Sequence, residues 1–276
     1  MRKAIAASLL LLPSLAAAKD AKPTAEDLVA RHLESIGPAE ARAAIRSRMA
    51  QGPVRFKVLI GGASDLAGVS LFYSEARSLR ASLRFGAPDY NGESFGFAND
   101  KVDVGFFQPG RRSEIASFLA SYDEPLREGL LGGALSTAWP LLELPARGAK
   151  LKYDGLKKVD DVELHQLSYG FAKRRSNLQV RLFLEPASFR HLRTTYRLDQ
   201  AAPMSGSITA SSQQQDTRYD LEETFGDFRA TDGLQMPHEW TLRFSVQGEG
   251  ARATLWRFVS RFEGIRQNLA TGEPAN

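Results

Sequence analysis

A chain of 276 residues that is 43% hydrophobic carries enough apolar side chain for a packed core, which excludes a disordered or fibrous class. Its 36 basic and 32 acidic residues leave a formal charge of +4, too small an excess for a nucleic-acid footprint. The absence of cysteine excludes disulfides, thiolate metal sites, a cysteine nucleophile and a lipid-modified cysteine.

Arg2 and Lys3, the apolar run from Ala4 to Leu12, Pro13, and Ala16-Ala17-Ala18 ahead of Lys19-Asp20 have the layout of a cleaved secretory signal over residues 1–18. The apolar run is too short to span a bilayer. Cleavage removes Arg2 and Lys3, so 34 basic residues would face 32 acidic ones, a charge of +2. The remainder, residues 19–276, reads as a single soluble periplasmic domain. Thr24 followed by Asp27 is a helix N-cap pattern, and Leu28, Val29, His32, Leu33 and Ile36 recur on one helical stripe. Gly37-Pro38 ends that helix, and Ala39 to Met49 reads as a second, shorter one.

From Gly52 the apolar period changes to two. Val54, Phe56, Val58 and Ile60 make one strand; Val69, Leu71 and Tyr73 the next; Leu79, Ala81, Leu83 and Phe85 a third. Asn91 to Phe97 and Lys101 to Phe107 continue the meander across Asn99-Asp100, a turn-favouring pair. Strand signal then stops. Between 112 and 144, Ile115, Phe118, Leu119, Tyr122, Leu126, Leu130, Leu131, Leu135, Trp139 and Leu142 fall at helical spacing, interrupted by Gly129 and Gly132-Gly133. That is a helical insertion of two or three short pieces. Strands resume at Leu151 to Tyr153, Val162 to Tyr169, Leu178 to Leu184 and Leu192 to Leu198, followed by a polar loop from Gln200 to Gln215. The last strands run from Thr217 through Asp232-Gly233 and Trp240, Leu242 and Phe244, then through Gly248-Glu249-Gly250 to Phe262.

Ten or eleven strands, each with one apolar face and no crossover helices between them, exclude a doubly wound parallel sheet. The expected class is mainly β with a helical lid (α+β): a curled antiparallel sheet, or unclosed β-barrel, covered by short helices. Phe56, Val58, Leu71, Tyr73, Leu83, Phe85, Trp240, Leu242 and Phe244 supply its apolar inner face, and Phe118, Leu119 and Trp139 come from the helical cover.

Several stretches resemble the LolA/LolB-like outer-membrane lipoprotein carriers. They are Phe72 to Pro109 with Arg77, Arg80, Asn99-Asp100-Lys101 and Phe106-Phe107-Gln108-Pro109; Tyr153-Asp154-Gly155; Leu182 to Phe189; and Phe225 to Pro237. Ser78 stands where the family has proline, and Phe106 or Phe107 where it has tryptophan. The resemblance implies an unclosed barrel with a lid over an apolar cavity that holds the acyl chains of a lipid or acylated lipoprotein. It also implies a delivery partner at the inner or outer membrane, a monomer, and no cofactor. It places a lid-contacting arginine near the early strands, at Arg77 or next at Arg80.

Chemistry of other classes finds little support. His32, His165, His191 and His238 are widely spaced and read as surface or rim residues, so no metal site is expected. There is no GxSxG, P-loop or dinucleotide glycine motif. Asp220, Glu222, Glu223 and Asp227 read as a wet charged face, and Lys173-Arg174-Arg175 as a solvated basic hairpin tip, with contact to anionic lipid head groups as the lesser alternative. The alternatives to the carrier are a secreted β-rich hydrolase or sugar-binding protein, in which Glu222 or Glu223 pairs with His238, and a structural envelope module that binds partners through its sheet edges.

Overall fold

A computed structural model of the chain describes residues 22–99, 101–201, 216–248 and 253–269. The signal-like stretch, most of the polar loop after Gln200, Asp100 and the Glu249-Gly250 turn lie outside them.

Helix α1 (Ala25–Ile36) starts at a capping box in which Thr24 accepts from the Asp27 N–H while Asp27 accepts from the Thr24 N–H, and it buries Leu28, Val29, His32 and Ile36. The second helix, α2 (Ala39–Ala43), is shorter than its sequence suggests, because the chain from Ser47 is already strand. Residues Arg48 to Gln51 pair with two neighbours at once, and those two ladders outweigh the helical propensity of an Ala- and Arg-rich segment.

The strands are β1 (Ser47–Ile60), β2 (Ser64–Glu75), β3 (Ser78–Ala87), β4 (Tyr90–Ala98), β5 (Lys101–Val104), β6 (Lys150–Val159), β7 (Val162–Gly170), β8 (Gln179–Leu184), β9 (His191–Gln200), β10 (Thr217–Thr231), β11 (Leu234–Gln247), β12 (Thr254–Arg261) and β13 (Gly264–Gln267). They form one antiparallel sheet in the order β5-β4-β3-β2-β1-β12-β11-β10-β9-β8-β7-β6, with β13 following β12 along the same side of β1. Two meanders therefore meet at β1–β12. Their outer ends, β5 and β6, remain as free edges. The β5 edge is only four residues long, and Lys150, Lys152, Lys157 and Lys158 occupy the β6 edge, two devices that discourage edge-to-edge pairing.

The chain leaves the sheet at one free edge and returns at the other. In between lie α3 (Glu114–Ser121), α4 (Glu124–Arg127), two 3-10 turns (Gly133–Leu135 and Pro140–Glu143) and α5 (Leu144–Arg147). The expected strand to Phe107 ends early, at Val104, where this crossing begins. Helices α3 and α4 lie against β4 and β5, and the first 3-10 turn against β9 and β11, so the insert crosses the inner face. Helix α1 touches both β6 and β11, five positions apart in the sheet, which requires the sheet to curl beneath it.

Tight turns set the register. Asp232-Gly233 takes positive φ at both residues (48° and 79°), and so does Asp160-Asp161 (47° and 67°), the geometry of two-residue hairpins. The parity of β2 corrects one expectation: Ser70, Phe72 and Ser74 are buried, whereas Leu71 and Tyr73 lie on the outer face. Pairing decides this, since Ala50 opposite Phe72 faces inward and Gln51 opposite Leu71 faces out.

Gly52 sits where β12 breaks from β13. A Cβ there would lie 1.9 Å from the Arg261 carbonyl oxygen, a backbone atom fixed by its ladder. Gly52→Ala should therefore lower unfolding free energy by about 3 kcal/mol, the upper range for overpacking. Urea denaturation checks this: the midpoint should fall with the slope unchanged.

Candidate functional site

The inner face of the curled sheet is aromatic and aliphatic. Phe56, Leu83, Phe85, Trp240, Leu242 and Phe244 are all buried on it, and Val58 is half-buried at its rim. Phe56 stacks on Phe258 with ring centroids 4.6 Å apart and on Tyr90 at 4.8 Å. The insert fills the hollow with its own side chains: Phe118 packs 5.5 Å from Phe244, and Leu119 and Trp139 are fully buried. The void left beside His32, Ala134 and His191 is about 10 Å³, near the lower limit for one water. In this conformation the apolar face is a core covered by a plug.

Polar groups of the sheet hold the plug by its backbone. Glu223, completely buried on β10, accepts from the Gly132 N–H (2.7 Å), from Tyr196 Oη of β9 (2.7 Å) and from Trp240 Nε1 of β11 (2.8 Å). Arg48 on β1 donates from Nη1 to the Ala134 carbonyl at 2.5 Å. Ser74 of β2 contacts the Ser136 and Thr137 hydroxyls and accepts from the Thr137 N–H. Gly132 makes this approach possible: its φ is +82°, and a Cβ would lie 2.3 Å from the Phe72 ring.

A histidine cluster also packs against the insert. Trp139 donates from its indole N–H to His32 Nε2 (3.2 Å) and stacks on His191 with centroids 4.9 Å apart. His32 Nδ1 meets the Phe189 carbonyl, and His191 Nε2 meets Arg193 O and Thr194 Oγ1. All four histidines are buried, which corrects the surface or rim placement read from their spacing.

Burial controls the titration of these groups. Desolvation raises Glu223 from 4.5 to about 7, against the pull of its three donors, and raises Glu93 of β4 to about 7 as well. The same effect lowers His32 from 6.5 to about 4 and drives His191 well below its ordinary value. Arg48 falls to about 10 by desolvation but stays cationic at neutral pH.

Several expected site residues stand elsewhere. Leu71 and Tyr73 face away from the insert. Arg80 is on the outer face of β3, 3.5 Å from Asp103, and not against the lid. Arg77 is exposed in the β2–β3 turn and lines a pocket with the insert residue Arg147. Glu223 is not on the wet face with Asp220 and Glu222; alternation puts it inside with Leu221 and Phe225. Neither glutamate is among the partners of His238, which bonds the Phe262 carbonyl, while Glu222 lies 3.6 Å from Arg193. Arg48 was hidden by the helical reading of its segment. The period-two run extended one residue pair upstream, through Ala50 and Arg48, would have placed it on the inner face.

No family model matches this chain, and no curated protein matches it. Among solved structures it is similar to a LolA superfamily protein from Nitrosomonas europaea, at 10% identity over 90% of this chain and 96% of that one, with a TM-score of 0.45. It is also similar to a DUF1329 family protein from Desulfovibrio piger, at 10% identity over 90% and 93% of the two chains, with a TM-score of 0.42.

The opposed shifts predict an unusual stability profile. For Glu223 and Glu93 the folded value is raised, so their contribution is full below about pH 4.5 and lost as pH rises through 7. For the two histidines the folded value is lowered, so their contribution is full above 6.5 and lost as pH falls, for His32 through about 4. Between 4.5 and 6.5 the slopes nearly cancel. Glu223→Gln keeps an amide able to serve the same partners but removes one falling slope. Its melting temperature should climb with pH across that window while that of the parent stays level, as thermal melts in a pH series would read.

Proposed function

We propose that this chain is a non-enzymatic periplasmic carrier that holds the acyl chains of a lipid or lipoprotein on the inner face of its open sheet, after the insert has lifted. The observation that carries this reading is the route of the insert. It leaves one free sheet edge, crosses the apolar face and returns at the other, so the cover can move without breaking any strand pairing.

The energetics are compatible with exchange. Cargo and plug are both apolar, so burying one in place of the other is nearly neutral in hydrophobic terms. What resists lifting includes the polar pins from Glu223, Arg48 and Ser74, together with the Trp139–His32, Tyr169–Glu128 and Thr254–Glu114 hydrogen bonds. At about 0.5–1.5 kcal/mol for a neutral hydrogen bond and 1.5–3 for one to a charged group, three such pins amount to several kcal/mol. An acyl chain gains about 0.8 kcal/mol per buried methylene, so each methylene beyond the plug area it replaces offsets part of that cost. Short-chain amphiphiles would therefore bind weakly and long ones well. Secretion through the 1–18 signal would put the carrier between the two membranes, with a delivery partner in one of them.

The cysteine-free chain makes a clean test. Ser74 Oγ and Thr137 Oγ1 are 2.7 Å apart across the sheet–insert boundary, within reach of a disulfide if both become cysteine. The oxidised Ser74→Cys/Thr137→Cys protein should lose uptake of a fluorescent fatty-acyl probe by about tenfold or more, and reduction should restore it. Equal uptake in both redox states would count against a lifting insert. Native mass spectrometry of the parent from its envelope fraction should show a lipid or acylated peptide released on denaturation.

A further inference from the structure

Where the insert meets the sheet margin, a pocket of about 390 Å³ opens between five separate pieces of chain, one of them β4 through Phe97. The β2–β3 turn contributes Arg77, α4 and its end contribute Arg127 and Glu128, α5 contributes Arg147, and the β7–β8 turn contributes Lys173 and Arg175. Five cations thus surround it, against the two carboxylates Glu124 and Glu128.

Those carboxylates are already engaged. Glu128 accepts from Tyr169 Oη at 2.9 Å, and Glu124 accepts from the Arg175 N–H. Nearby Asp123 takes Arg127 Nε at 2.7 Å and lies 3.8 Å from Arg175. Arg147 differs from its neighbours in being withdrawn from water, with a side chain only 3% exposed. Its Nη2 donates to the Ala138 carbonyl, while its buried Nε has no hydrogen-bond acceptor and the Glu143 carboxylate stands 3.9 Å away. Arg77 and Lys173 form no ion pair among the described residues.

A buried guanidinium with an unmet donor, two unpaired cations and a roomy pocket between them describe a site short of negative charge. Cations on separate elements suit a ligand with several acceptor oxygens pointing in different directions, and a tetrahedral phosphate has that shape where a flat carboxylate does not. We propose that this pocket is a phosphate-binding site, taking a phosphomonoester or phosphodiester group between Arg77, Arg147 and Lys173. Burial and the neighbouring Arg77 both lower the affinity of Arg147 for its proton, a stress that a bound anion would relieve. Because the ligand would join the β2–β3 turn, the insert and the β7–β8 turn, its binding would clamp the insert against both halves of the sheet. The pocket itself stands apart from the carrier reading; only the identification of the phosphate as a lipid head group rests on it.

The experiment is isothermal titration of the mature protein, at matched ionic strength in chloride, with inorganic phosphate, with dihexanoyl phosphatidylglycerol below its micelle concentration, and with neutral dihexanoylglycerol. Arg77→Gln and Lys173→Gln are the variants, since both side chains are exposed and their loss should leave the melting temperature in place. Saturable one-to-one phosphate binding, weakened about tenfold by each variant, is the expected result. If the phosphatidylglycerol competes with phosphate and binds at least about tenfold more tightly, the source is a lipid head group; if it binds no better, the site serves a free phosphate compound. Absence of saturable binding by either anion, or binding unaffected by both variants, overturns the proposal. Uptake of the fatty-acyl probe, measured alongside, reports on the carrier function separately: uptake with no phosphate binding refutes only the site, and phosphate binding with no uptake refutes only the carrier.

Discussion

An open, curled sheet with one apolar face cannot leave that face in water, and most of this architecture follows from how it is covered. At about 25 cal/mol per Å² of apolar area, exposing even a few of the buried aromatic side chains would cost several kcal/mol. A closed barrel would solve the problem by pairing its first and last strands. Here β5 and β6 do not pair with each other, and the chain between them becomes the cover. The connection that topology requires between two distant edges is thereby also the element that completes the core.

The cover is held differently from an ordinary core element. Its apolar side chains supply bulk, but its position is set by hydrogen bonds to its backbone from Glu223 and Arg48, both buried, of opposite charge and on separate strands. Buried charges are poor sources of net stability, because desolvation offsets much of what their hydrogen bonds return. They do impose geometry. With three donors converging on one carboxylate, the insert has one well-defined seat, and Gly132 is the residue small enough to take it over Phe72.

Burial raises the Glu223 carboxyl toward neutrality and lowers the His32 and His191 imidazoles, and Glu223 and His191 both approach the Gly132–Gly133 segment of the insert from neighbouring strands. Their proton linkages are opposed in sign. The cationic pocket at the insert margin adds a separate contact, in which chain from both sheet halves meets the cover.

Much of this was legible from residue order. Period-two alternation gave away the strands from Phe56 to Phe85 and from Leu182 to Phe244, Asp232-Gly233 marked its hairpin, and helical spacing between Ile115 and Leu142 isolated the insert; these are local signals, written in consecutive residues. Which face of β2 turns inward was not, because Val69, Leu71 and Tyr73 are as apolar as Leu66 and Phe72, and only pairing with β1 chooses between them. The strand at Ser47 to Gln51 was masked for the same reason: its neighbours β13 and β2 are supplied by distant chain. Glu223 and the four histidines look like surface residues in sequence, yet become interior once Tyr196, Trp240, Trp139 and Phe262 bring partners from elsewhere. Sequence by itself determined the strands, the insert and the apolar stripe, since those depend on neighbours along the chain. Tertiary structure alone decided the inward parity of β2, the buried charges that seat the insert and the cationic pocket, because each is created by side chains that meet only after the sheet has curled.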